Sequence, residues 1–118
     1  CETIANPGGY ITDLDAIAEI ADGAGIPLIV DNTTATPYLC RPIEHGATLV
    51  VHSLTKYMTG NGTVTGGVVV DSGKFDWSAS DKFPSLSKPE PAYHGLCFHE
   101  ALGPMAFTFH GIALVRIL

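Results

Sequence analysis

The sequence predicts an α/β fold, a mostly parallel sheet flanked by helices. Three observations carry that expectation. The segments "IPLIVD", "TLVVHS" and "GGVVVD" are continuously apolar up to a polar end, as in strands covered on both faces. A stretch with helical spacing of its apolar residues precedes the first of them. Strand, helix, strand, crossover and strand then follow in the rhythm of βαβ units.

Taken in order, Cys1–Ala5 reads as a short first strand, closed by the turn cluster Asn6-Pro7-Gly8-Gly9. In "TDLDAIAEIADGAG", Leu14, Ile17, Ala18, Ala21 and Ala24 recur at helical spacing, with Asp15, Glu19 and Asp22 facing away. Thr12 or Asp13 can cap this helix, its early aspartates complement the dipole, and Gly25 can end it. Strands are expected over "IPLIVDNT", "TLVVHS" and Gly66–Asp71, with a short helical turn in Pro37–Gly46. Ser72–Pro91 is rich in Ser, Asp, Lys and Pro, with Trp77 and Phe83 as isolated anchors, and reads as a long surface loop. Helix resumes over Leu96–Leu102 and after Pro104. The division is one partial domain over 1–118: a cofactor-binding α/β core (1–71), a long loop (72–95) and a helical segment (96–118).

Of the 118 residues 46% are hydrophobic and 15% charged, a core-rich composition and the opposite of a disordered one. That is more apolar than a free-standing unit of this size requires. The chain also opens on Cys1 inside a strand and stops in the apolar stretch Phe107–Leu118, so an internal fragment is expected. A net charge of −6 with no basic stripe argues against nucleic-acid binding. No apolar run has membrane-spanning length and no signal peptide is visible. Three cysteines without CxxC spacing read as reduced thiols, which places the protein in the cytoplasm.

In open α/β sheets, ligands sit beyond the carboxyl ends of the strands. One strand ends in Asp31-Asn32-Thr33 and the next in Ser53, Thr55 and Lys56, with Asn6 closing the lead-in. A lysine there is costly to bury as a cation unless paired or chemically used. An amine among hydroxyls that can hold a phosphate, with a carboxylate opposite, suits pyridoxal 5'-phosphate.

"SLTKYMTGNG" resembles the lysine motif of the Cys/Met-metabolism family of pyridoxal-phosphate enzymes. "ETIANP", "LIVDNTTATPYLCRP" and "PIEHGATLVVHS" are similar to further family segments in the same order. "SGKFDW", "PAYHGL" and "FTFHGIA" look most like its O-acetylhomoserine sulfhydrylases. The resemblance implies the central part of the large domain of a fold-type-I enzyme. It implies that Lys56 is the catalytic Schiff-base lysine and Asp31 the partner of the pyridine nitrogen. Ser53 and Thr55 match phosphate ligands, Asn6 the asparagine beside the phenolic oxygen, and Thr33 a residue lining the ring. The sequence departs from the family at Thr48 (commonly an acid), Leu54 (commonly small) and Asn61 (commonly histidine). By the same resemblance, the phosphate-binding glycine turn and the ring-stacking tyrosine precede residue 1. So do the tyrosine and arginine given by a neighbouring subunit, and the arginine for the substrate carboxylate follows residue 118. The fragment by itself is therefore expected to be inactive.

The implied reaction is γ-replacement: O-acetyl-L-homoserine and sulfide or a thiol give homocysteine or methionine and acetate. A γ-lyase or cystathionine γ-synthase reaction stays open, as does an inactive fragment that only packs with other chains. A small-molecule substrate, no nucleic acid, no membrane, and a homo-oligomer (a dimer of dimers) are the implied partner state. No metal site is expected, since "HEALG" lacks the second histidine of a zinc helix. His52 reads as a packed histidine facing away from Ser53, and Cys40 and Cys97 as core thiols.

Overall fold

A computed structural model describes residues 1–117, with side chains through Val115; Leu118, the last residue of the expected helical segment, lies outside the described residues. The chain forms two compact units, Cys1–Ser72 and Gly73–Leu118.

In the first unit, α1 spans Leu14–Gly23. Asp13 is its cap, accepting the Ala16 N–H at 3.1 Å, whereas the Thr12 hydroxyl donates to the Glu2 carbonyl at 2.6 Å. The helix ends where Gly25 takes φ +60° and the Ile26 N–H reaches back to the Ala21 carbonyl at 3.0 Å. Glycine adopts that conformation without the Cβ clash other residues meet. Leu14 and Ala21 pack with Leu28, Val30, Ala47 and Val50 into one core cluster, edged by Ile17, Ala18, Cys40 and Ile43. Each large aliphatic side chain so buried contributes about 2 kcal/mol.

β1 (Ile29–Asp31) pairs parallel with β2 (Leu49–Ser53), Asp31 standing opposite Val51. β3 (Gly67–Asp71) pairs antiparallel with β2, giving a mixed sheet of order β1-β2-β3. The reversal follows from the connection: residues 54–66 form a tight loop with no crossover helix, so the chain returns beside the strand it left. The lead-in is not a full strand. It makes isolated bridges, Glu2 parallel to Asp31 and Ile4 antiparallel to Ile11. Between β1 and β2 the expected helical turn resolves into α2 (Thr36–Leu39) and a 3₁₀ turn, Pro42–His45. Val30, Leu49 and Val50 are buried within this chain, and Ile29, Val69 and Val70 are exposed.

In the second unit the expected loop carries structure. α3 (Pro84–Ser87) and a 3₁₀ turn (Pro91–Tyr93) lead to α4 (Phe98–Leu102), a 3₁₀ turn (Gly103–Met105) and α5 (Ala106–Ile117). Trp77 and Phe83 are not isolated. Trp77 is buried, edge-on to Phe75 and Phe83 and stacked on Phe107 with centroids 5.2 Å apart. Cys97 is buried, its thiol 3.7 Å from the Leu86 carbonyl, while Cys40 is half-buried.

Candidate active site

Strand alternation decides which side chains meet. Along β1, Val30 turns into the core and Asp31 to the other face; along β2, Val50 and His52 are buried on the core side and Ser53 faces away. Because β1 and β2 run parallel, their polar ends emerge at one edge.

Thr33 ties those ends together. Its N–H donates to Asp31 Oδ1 at 2.9 Å, and its Oγ1 accepts the Ser53 N–H at 2.8 Å. The carboxylate of β1 and the start of the lysine segment are thus held through one half-buried threonine. Asn32, wholly buried, anchors the same corner from below. It accepts from the Thr3 hydroxyl at 2.7 Å and donates to the Cys40 carbonyl at 2.8 Å.

The lysine segment is wound back on itself. The Lys56 N–H donates to the Ser53 carbonyl and the Gly60 N–H to the Lys56 carbonyl, both at 3.3 Å. Thr59 Oγ1 lies 3.3 Å from the carbonyls of Thr55 and Lys56. Thr55 Oγ1 accepts the Gly66 N–H at 3.0 Å, which fixes the turn against the start of β3. The Lys56 side chain is exposed and makes no ion pair among the described residues. Lys56 is also the one lysine in residues 1–72. The Ser53 hydroxyl makes no hydrogen bond among the described residues, so it is available to a ligand.

Asn6, Asp31, Thr33, Ser53, Thr55 and Lys56 all line a single open cleft of about 920 Å³. None of the six sequence-derived candidates falls elsewhere. The cleft also takes in Glu2, Tyr57 and Asn61, which sequence reasoning gave no place in the site. For Glu2 the one signal in the sequence is its place in "ETIANP", four residues before Asn6. His52 lies apart from the cleft, 5% exposed, at a smaller cavity of about 320 Å³ with Asn32 and Cys40.

The donor set fits pyridoxal phosphate: one amine for covalent attachment, one carboxylate for a protonated ring nitrogen, and hydroxyls at a strand end for the phosphate. A cleft of this size accommodates a ligand of that class.

The comparisons with known proteins agree with that chemistry. The family model "Cys/Met metabolism PLP-dependent enzyme" matches residues 1–116. A homocysteine synthase of Schizosaccharomyces pombe is 52% identical over 110 residues, 92% of this chain and 26% of that protein. An O-acetyl-L-homoserine sulfhydrylase of Corynebacterium glutamicum is 50% identical over 110 residues, 90% of this chain and 25% of that protein. Among solved structures, an O-acetylhomoserine (thiol)-lyase of Campylobacter jejuni superposes with TM-score 0.90 at 35% identity, over 98% of this chain and 29% of that one. That protein carries a pyridoxyl-lysine monophosphate. A cystathionine γ-synthase of Xanthomonas oryzae gives TM-score 0.59 at 46% identity over 60% of this chain and 18% of that one. The chain thus spans about a quarter of the length of the curated relatives it matches.

Fold and cleft together define part of the large domain of a fold-type-I pyridoxal-phosphate enzyme. The chain belongs to the Cys/Met-metabolism family of pyridoxal-phosphate-dependent enzymes.

Proposed function

We propose that these residues form the cofactor-holding part of an enzyme of γ-replacement, which converts O-acetyl-L-homoserine and sulfide or a thiol to homocysteine or methionine and acetate. The observation that carries the reading is the gathering of the unit's one lysine with Asp31, Ser53, Thr55 and Asn6 in one cleft. Bound pyridoxal phosphate would supply an electron sink for charge developing at the substrate's Cα and Cβ. Lys56 would be its covalent anchor, and its freed amine would take the Cα proton and then a Cβ proton so that acetate can leave Cγ, returning protons to Cβ and Cα once sulfur has added at Cγ. Asp31, oriented through Thr33, keeps the ring nitrogen protonated. Ser53 and Thr55 would hold the phosphate, Asn6 would meet the phenolic oxygen, and Thr33 would line the ring.

The sulfhydrylase names of the relatives support replacement by sulfide or a thiol. The likeness to a cystathionine γ-synthase favours, as second reading, the same replacement with cysteine as the sulfur donor. A homo-oligomer belongs to the proposal, as the likeness to the family implies. A cytoplasmic location belongs to the proposal, supported by three unpaired cysteines.

The test is borohydride reduction and peptide mapping of a polypeptide of the relatives' full length bearing this segment. A pyridoxyl label on Lys56 is expected, and replacing Lys56 by alanine should lower kcat about a thousandfold. A label on any other lysine refutes the assignment. Homocysteine formed from O-acetylhomoserine and sulfide, against ammonia and α-keto acid from methionine, separates replacement from elimination.

A further inference from the structure

Glu2 lines the cleft but has no part in the reading above. Its backbone stands opposite Asp31: the Asp31 N–H donates to the Cys1 carbonyl at 2.8 Å and the Thr3 N–H to the Asp31 carbonyl at 3.0 Å. Residues opposed in this way share a face of the sheet. Glu2 therefore rises on the cleft side beside Asp31, while Thr3 turns under to Asn32.

From there Glu2 Oε2 accepts the Asn6 N–H at 2.9 Å. The bond spans the corner at which the chain leaves the sheet edge and turns back, the Gly9 N–H donating to the Ala5 carbonyl at 2.7 Å and the Ala5 N–H to the Tyr10 carbonyl at 2.9 Å. Asn6 is exposed, so packing does not set the direction of its side chain. The corner sets it, and the Glu2 carboxylate braces the corner at Asn6 itself.

We propose that Glu2 is a positioning residue of the cofactor site, holding the Asn6 backbone so that the Asn6 amide meets the phenolic oxygen of the cofactor. The inference rests on the reading of Lys56 and Asp31 given above. A hydrogen bond donated to the phenolic oxygen favours its ionised form and so lowers the pKa read from the visible band of the lysine-bound cofactor. Freeing Asn6 raises that pKa. A carboxylate acting by charge alone does the reverse: its removal lowers the pKa, because the negative charge had favoured the protonated form. The sign of the shift separates the two.

The experiment is a pH titration of the visible band in the cofactor-loaded, full-length polypeptide bearing this segment, with Asn6→Ala as reference. Glu2→Ala should raise the pKa in the same direction as Asn6→Ala, by about one unit, a tenfold change in the ionisation constant. Glu2→Gln keeps an acceptor oxygen and should leave it near the parent value. Hydrogen exchange at the Asn6 amide is a readout independent of the cofactor: faster in Glu2→Ala, unchanged in Glu2→Gln. A downward or absent pKa shift in Glu2→Ala overturns the proposal, as does a Gln variant that shifts as far as Ala. If Glu2→Ala fails to take up cofactor, the exchange rates decide. A borohydride label away from Lys56 overturns the cofactor reading itself. A label on Lys56 with an unmoved pKa overturns only the role of Glu2.

Discussion

Asn32 is the residue at which stability and the cleft are most tightly joined. It is wholly buried, and its side chain accepts from Thr3 Oγ1 at 2.7 Å and donates to the Cys40 carbonyl at 2.8 Å. Replacing it by alanine leaves the buried Thr3 hydroxyl and the Cys40 carbonyl without partners. Each orphaned group costs about 1–1.5 kcal/mol, and the small void adds to that, so the loss is about 3 kcal/mol. Thr3→Val, nearly isosteric, orphans only Asn32 Oδ1 and should cost about 1.5 kcal/mol. The double variant removes both partners of the Thr3–Asn32 bond and so leaves neither orphaned, and it should fall short of the sum by about 2.5 kcal/mol. Denaturant unfolding followed by far-UV circular dichroism gives the three values. Hydrogen exchange at the Thr3 and Asp31 amides, which pair the lead-in to β1, locates the effect. Strict additivity would show that the buried bond contributes nothing of its own and would refute the reasoning.

Two further outcomes are expected. Gly46 closes the 3₁₀ turn at φ +85°, and a Cβ built there would lie 2.7 Å from Ala18 Cβ on α1; Gly46→Ala should destabilise the first unit by about 2 kcal/mol or more through left-handed strain and the displaced helix, and a denaturation midpoint unchanged from the parent's would contradict this. Asp76 accepts from the Ser78 hydroxyl at 2.7 Å and the Ser78 N–H at 2.8 Å, and these bonds, with His99 beyond them, hold its carboxyl below the ordinary carboxylate value. A lowered folded-state pKa means a stabilising contribution present above the unfolded value and lost as pH falls through the folded one. The small advantage of the parent over Asp76→Ala, read from Trp77 fluorescence on unfolding, should therefore hold at neutral pH and vanish in acid; a gap that persists below the folded-state pKa would refute it.

How far the sequence could be read depends on the range of the interaction that fixes each element. α1 was legible because its cap, its stripe and its terminal glycine are all local. The cleft residues were legible because parallel strands deliver their carboxyl ends to one edge, whatever the details of packing. The direction of β3 was not legible: "GGVVVD" is equally apolar either way, and the 13-residue connection that reverses it shows no marker distinguishing it from a longer crossover. Nor was the cluster around Trp77, since Phe107 meets it from 30 residues away. Glu2 escaped because its bond is to a backbone N–H, which no pattern of side chains announces.

These pieces share one device. At the end of β1 three successive residues serve three ends: Val30 completes the core against α1, Asp31 faces the cleft, and Asn32, just past the strand, ties the lead-in to the segment after α2. In β2, Val50 is in the core, His52 is buried on the same side and Ser53 opens the lysine turn. A slip of one residue in the β1–β2 register would turn Asp31 toward the core and bring Val30 to the cleft, losing apolar burial and stranding a charge in one move. The same pairing that stabilises the sheet therefore holds the carboxylate and the lysine segment at one edge. The Thr33 hydroxyl, bonded to the Ser53 N–H, locks that register where the strands end. A one-residue shift of Asp31 relative to Ser53 is thus also one in which the core fails to close.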